Sequence, residues 1–125
     1  LNLRFVHLLS KDARRRVVEV MLSGRSLREL SELLGITPAA ISKYRSGVTH
    51  PSDEVLGRIL EGASRVELEE IAKVAFNDLY LGFESLIEWM LERRLVEGSV
   101  LEKLRKLVER VEGDPEVKRA RIIIR

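Results

Sequence analysis

The stretch Ser26–Gly47, SLRELSELLGITPAAISKYRSG, decides the fold of this chain. Ser26 and Glu29 make the Ser-x-x-Glu pattern of a capping box, in which the hydroxyl accepts an orphan backbone N–H and the carboxylate reaches back to the cap residue. Leu30, Leu33 and Leu34 follow at helical spacing. Thr37-Pro38 starts a second helix, with a capping hydroxyl ahead of a proline at the first helical position. Between the two, Gly35 can take the positive φ that a tight turn between steeply crossing helices needs. At about 3.6 residues per turn, setting Ile41 and Tyr44 inward turns Ala39, Ser42, Lys43 and Ser46 outward. That outward face is small and polar with one cation, a shape able to approach a groove closely.

Outward from this unit the same start signals recur. Ser64/Glu67 and Ser99/Glu102 repeat the box, Ser52 precedes Asp53 and Glu54, and Ser10 marks a further start. The predicted helices are 11–22, 27–34, 38–46, 53–61, 65 to about 97, and 100–112, with glycines punctuating most of their ends. No β-alternation competes through the middle of the chain. The fold class is all-α: an N-terminal helix-turn-helix bundle over residues 1–62, then a helical dimerisation region over 63–125 made of a long helix and a C-terminal helix. The apolar, partly β-branched ends, residues 1–9 and 117–125, are open at this level. Ile122-Ile123-Ile124 is equally compatible with a short strand.

Composition excludes several classes. Hydrophobic residues make up 45 % of the 125, enough for a packed core, so wholesale disorder is not expected. There is no cysteine, and His7 and His50 stand far apart, so neither a metal site nor a cofactor is expected. No nucleotide-binding glycine loop and no Ser/His/Asp arrangement is present, and the chain is not expected to be an enzyme. No apolar run is long enough for a membrane span and no signal-peptide pattern opens the chain, which reads as cytoplasmic. Charged residues are 34 % and glutamine is absent, a bias resembling that of thermophilic proteins. The net charge of +2 hides an uneven distribution. Residues 1–50 carry nine Lys/Arg against four Asp/Glu, whereas residues 51–102 carry five against twelve. The basic first part is the one suited to a polyanion.

The long helix shows two apolar stripes. Leu68, Ala72, Ala75, Leu79, Gly82, Leu86 and Trp89 alternate at spacings of four and three, a heptad seam. Phe76, Tyr80, Phe83, Ile87 and Met90 run beside it. One stripe suffices to dock a helix on its own domain, and a second copy of the chain is the simplest cover for the other. Leu68, Ala72, Ala75, Leu79, Leu86 and Trp89 are therefore the candidate homodimer interface, the alternative being a monomeric core closed by the 100–111 helix. Gly82 either stays helical or breaks the helix there.

Residues 26–60, SLRELSELLGITPAAISKYRSGVTHPSDEVLGRIL, resemble the Xre/Cro/lambda-repressor class of helix-turn-helix domains, and GITPAAISKY is similar to archaeal regulators of this class. The matching positions are Leu30, Ser31 (usually alanine), Leu34, Gly35, Ile36, Thr37, Ile41, Ser42, Gly47, Pro51, Leu56 and Ile59. Leu27 stands where many members have glutamine, and Arg45 where glutamate is common. The resemblance implies that helix 38–46 lies in the major groove of double-stranded DNA, with Pro38, Ala39, Ser42 and Lys43 facing bases. Arg14, Arg15, Arg16, Arg25, Arg28 and Arg45 are the phosphate candidates, joined by Ser26 and Thr37 through hydroxyls and helix-start amides. The base-facing set is poor in bidentate donors, so phosphate contacts and DNA shape are expected to carry much of the discrimination.

The function expected is sequence-specific DNA binding by a dimeric, repressor-like transcriptional regulator. Two other readings are open. One is the DNA-binding N-terminal portion of an archaeal site-specific recombinase without its catalytic part, since His50 is followed by Pro51-Ser52-Asp53 rather than His-x-x-Arg. The other is an antitoxin or protein-interaction module that holds a partner with its helical tail.

Overall fold

The computed structural model describes residues 3–124, and these are all-α, with no strand among them. The helices are α1 (Arg4–Leu8), α2 (Lys11–Leu22), α3 (Leu27–Leu34), α4 (Pro38–Ser46), α5 (Asp53–Gly62), α6 (Arg65–Glu92), α7 (Gly98–Glu112) and α8 (Pro115–Ile124). The chain forms two compact units, residues 1–83 and 84–125. Gly82 lies inside α6, which runs on through it.

In the first unit each helix from α2 to α6 begins where its capping residue stands. Ser10, Ser26, Thr37 and Ser52 accept the backbone N–H three residues on, and Ser26 and Ser64 make reciprocal boxes with Glu29 and Glu67. α3 and α4 stop at Gly35 and Gly47, whose φ of 67° and 78° lie in the left-handed region open to glycine. The core is built from Val17, Val18 and Met21 of α2, Leu30 and Leu34 of α3, Ile41 of α4, Leu56 and Ile59 of α5, and Ile71 and Ala75 of α6. Leu79 packs against it. Ala75 and Leu79, assigned from the sequence to a seam between copies, thus lie on the protein's own core.

Two polar clamps hold the first half of α6 in this unit. Glu67 pairs with Arg25, and both side chains are largely buried. Asp78 accepts the backbone N–H of Ser10 at 2.9 Å and its hydroxyl at 2.5 Å. Ser10 therefore caps α2 and anchors α6 with the same few atoms. Burial pushes the Glu67 carboxyl up, but the Ser64 amide and the Arg25 guanidinium outweigh it and hold the group below its usual range.

Arg14 is the polar centre of the first unit. Its side chain is 12 % exposed. The guanidinium donates to the carbonyls of Leu9 (3.1 Å), Val6 (2.9 Å) and Pro51 (2.9 Å) and to Asp53 Oδ1 (2.7 Å). Asp53 Oδ2 is 2.9 Å from His7 Nδ1. The Arg14 hydrogen bond, and then that of His7, draws the Asp53 carboxyl below the usual aspartate range. A depressed folded-state pKa contributes stability that is complete above the unfolded value and is lost as pH falls through the folded one. Melting temperature is therefore expected to fall as pH drops below about 4, and to fall less steeply in Asp53→Asn. Parallel acid limbs for the two proteins would remove Asp53 from this role.

The second unit differs from the sequence reading at both ends. α6 stops at Glu92 rather than near Glu97, because Arg94 takes φ 57° and the amides of Arg94 and Leu95 turn back onto the carbonyls of Leu91 and Met90. This is a Schellman closure with arginine where glycine is usual. The Ser99/Glu102 box does not start α7: the helix begins at Gly98, its cap position is Glu97, and no side chain caps it. Ile122–Ile124 are helical and not a strand, since Asp114 accepts the amides of Glu116 and Val117 and so launches α8 with Pro115 in its first turn. Among the described residues of this unit none is buried. Leu86, Trp89, Leu101, Val108 and Val111 are each about half exposed.

Candidate nucleic-acid interface

α4 owes its orientation to two residues. Ile41 is fully buried and Tyr44 is 9 % exposed, so the helix is pinned by one side. Pro38, Ala39, Ser42, Lys43 and Ser46 are all exposed. The helix packs against α2 and α3, and its first-turn amides, which no intrahelical acceptor can satisfy, open at Thr37.

The turn that sets α4 against α3 is closed by more than Gly35. The Ser31 hydroxyl donates to the Ile36 carbonyl at 2.5 Å, and the Ile36 amide returns to the Ser31 carbonyl at 3.2 Å. Arg58 of α5 donates to the Leu34 carbonyl at 3.0 Å, serving the end of α3 from outside it. The sequence marks Ser31 only as a departure from the usual alanine, and nothing in it marks Arg58. Val48, 70 % exposed just beyond α4, likewise carries no signal in the sequence pattern.

The cations named from sequence divide sharply in the structure. Lys43 and Arg45 are exposed, with no ion-pair partner among the described residues. Arg28 is exposed and only loosely paired with Glu32 at 3.4 Å. Arg15 and Arg16 share Asp12 at 2.9 Å each. Arg25 is tied to Glu67 and Arg14 to the carbonyl cluster described above. The Ser26 and Thr37 hydroxyls hold the amides of Glu29 and Ala40. Of the seam residues, Ala75 is buried, Leu68 and Leu79 are half-buried, and Ala72, Leu86 and Trp89 are exposed.

Two short capped helices joined at a left-handed glycine, the second pinned by Ile41 and Tyr44 and exposing a small polar face with unpaired cations, define a helix-turn-helix of the DNA-binding class. Residues 19–74 match the family model described as helix-turn-helix. Over this segment the chain is similar to the Xre/Cro-like helix-turn-helix family. No curated protein and no solved structure matches the chain. No helix among the described residues is long and apolar enough to cross a membrane.

Proposed function

We propose that the protein is a transcriptional regulator that binds double-stranded DNA as a homodimer, laying α4 in the major groove and reading an inverted repeat. The observation that carries this reading is the exposed face of α4, where Ala39, Ser42 and Lys43 stand clear of the fold and the Lys43 ammonium has no ion-pair partner among the described residues. Lys43 can donate to guanine O6 and N7, Ser42 to several base edges, and the Ala39 methyl can meet a thymine methyl. Arg28 and Arg45 are the phosphate ligands with the fewest competing contacts. Arg15 and Arg16 reach phosphate only by exchanging Asp12 for it, and Arg14 and Arg25 act on DNA through the fold they hold.

The dimer is assigned to residues 63–125. Two things support it: the apolar faces of α6 and α7 that no other part of the described chain buries, and the small footprint of one such head, which is marginal for tight specific binding. A twofold pair reads two half-sites about one helical turn apart.

Selection of bound sequences from random duplex DNA at two salt concentrations tests the reading. A twofold-symmetric site is expected. Lys43→Ala should relax preference at one position per half-site at a cost of about 1–3 kcal/mol, whereas Arg28→Ala should weaken all sites alike and flatten the salt dependence. Equal affinity for every sequence would sink the proposal.

A further inference from the structure

α6 presents an aromatic ridge that stands partly in water. Phe76 is 67 % exposed, and Tyr80 and Phe83 are each 46 % exposed. The Phe76 and Tyr80 rings stack with centroids 5.8 Å apart and planes 13° from parallel, so the two form one continuous aromatic surface. Beside it lies an open groove of about 640 Å³ that reaches Leu8, itself 62 % exposed, and runs past Leu79 and Gly82.

We propose that this face, which takes in Leu79 and Gly82 of the seam but not its Leu68–Ala75 part, is where a second copy of the chain docks, the ridge of each copy entering the groove of the other. The inference rests on the homodimer reading above and gives it a location. The N-terminal part of the seam is already in use, since Ala75 is buried in the core. The ridge has the spacing that a partner helix needs: Phe76, Tyr80 and Phe83 step by four and three, and the sequence continues the pattern to Ile87 and Met90.

Area selects the occupant. Leu8, Phe76, Tyr80 and Phe83 together leave on the order of 500 Å² of side chain in water, at the upper end for a monomer's largest apolar patch. A standard interface takes about 800 Å² per partner, somewhat over half of it apolar, so the patch is the size one protomer contributes. A ridge and a groove side by side on one face are what an isologous contact requires, because each copy must both insert and receive.

Gly82 is a separate indication. A glycine inside a helix is unfavourable relative to alanine, and here the protein's own fold does not ask for it: a Cβ built at Gly82 meets nothing within 4 Å, and its φ is not left-handed. An approaching helix would use the missing side chain.

Sedimentation equilibrium on the full chain tests this with two variants. Phe76→Asp places a charge on a side chain that already stands in water, so helix content should match the wild type, and melting should match it at concentrations low enough for both to be monomeric. Gly82→Leu adds bulk where the monomer has room and improves helix propensity. The wild type is expected to be dimeric, and each variant should raise the dimer dissociation constant by about 100-fold or more. A wild type that stays monomeric to about 100 µM, or variants that dimerise as the wild type does, would overturn the proposal. Selection from random DNA, run alongside, separates the two readings. Variants that remain dimeric while wild type selects an inverted repeat would move the interface elsewhere and leave the regulator standing. Monomeric variants of a wild type that selects no sequence would keep the interface and remove the regulator.

Discussion

Arg14→Ala is expected to cost about 3–5 kcal/mol of folding stability, the range for removing one partner from a buried charged cluster. The loss comes less from Asp53, whose side chain is 48 % exposed, than from the carbonyls of Leu9 and Pro51 and from that of Val6, which keeps the Leu9 amide as a second donor. These come from the end of α1, the turn after it, and the approach to α5. Each buried carbonyl left without a donor costs about 1–3 kcal/mol, reduced wherever water can enter. Domains of this kind are stable by only about 5–15 kcal/mol, so the variant should sit near its unfolding threshold and melt roughly 10–20 °C lower. Arg14→Lys should recover little, because one ammonium cannot serve donors spread over a planar fork. Urea unfolding checks both variants. A loss below about 1 kcal/mol for Arg14→Ala would mean that the carbonyls find other donors. In DNA binding, any Arg14→Ala defect should disappear at temperatures and osmolyte levels where the variant is fully folded, which a direct phosphate ligand would not allow.

Ala39→Glu should have the largest effect on function with the least on the fold. The position is exposed on α4 one residue past Pro38, and glutamate near a helix N-terminus is favoured by the dipole, so thermal stability should hold or rise slightly. On DNA the same carboxylate would meet the phosphates and base acceptors of the groove. Like charges brought together in an interface cost several kcal/mol, so affinity for the selected site is expected to fall by about 100-fold or more at moderate salt. Ala39→Gln, nearly the same size and neutral, should lose far less. Band-shift or anisotropy titrations would show this, with melting curves as control. Equal losses for glutamate and glutamine would point to bulk rather than charge and to a tighter fit of α4 than its small side chains demand.

The parts of the molecule legible in the sequence are those whose causes are local. Ser26/Glu29, Thr37-Pro38, Gly35 and Gly47 each act within about one turn of themselves, and the first unit places its helices on them. Arg14 shows the opposite case. In sequence it is the first of three arginines on a helix, indistinguishable from Arg15 and Arg16. Its acceptors, however, include Pro51, 37 residues away, and only the folded chain brings that carbonyl to it. The two stripes of α6 were ambiguous for the same reason: their spacing is equivalent, and which one meets the core depends on Ile71 and on the Glu67 and Asp78 clamps. Ser99/Glu102 marks a further limit. The pattern is present, but the turn closes earlier, through the Glu97 carbonyl accepting from Val100 and Leu101, which leaves Ser99 inside the helix.

The row of capping hydroxyls at Ser10, Ser26, Thr37, Ser52 and Ser64 also bears on time. Each holds an amide three residues away, so each is available before any distant part of the chain has been found. Nascent turns can then form within about a microsecond, and what remains is a diffusive search among segments joined by short connections. Local contacts of this kind belong to the fast end of folding rates. A head whose starting points are written into single hydroxyls should reach its native state quickly after synthesis and after each thermal opening. Its long-range polar contacts, Arg14 above all, would then act mainly to delay its loss.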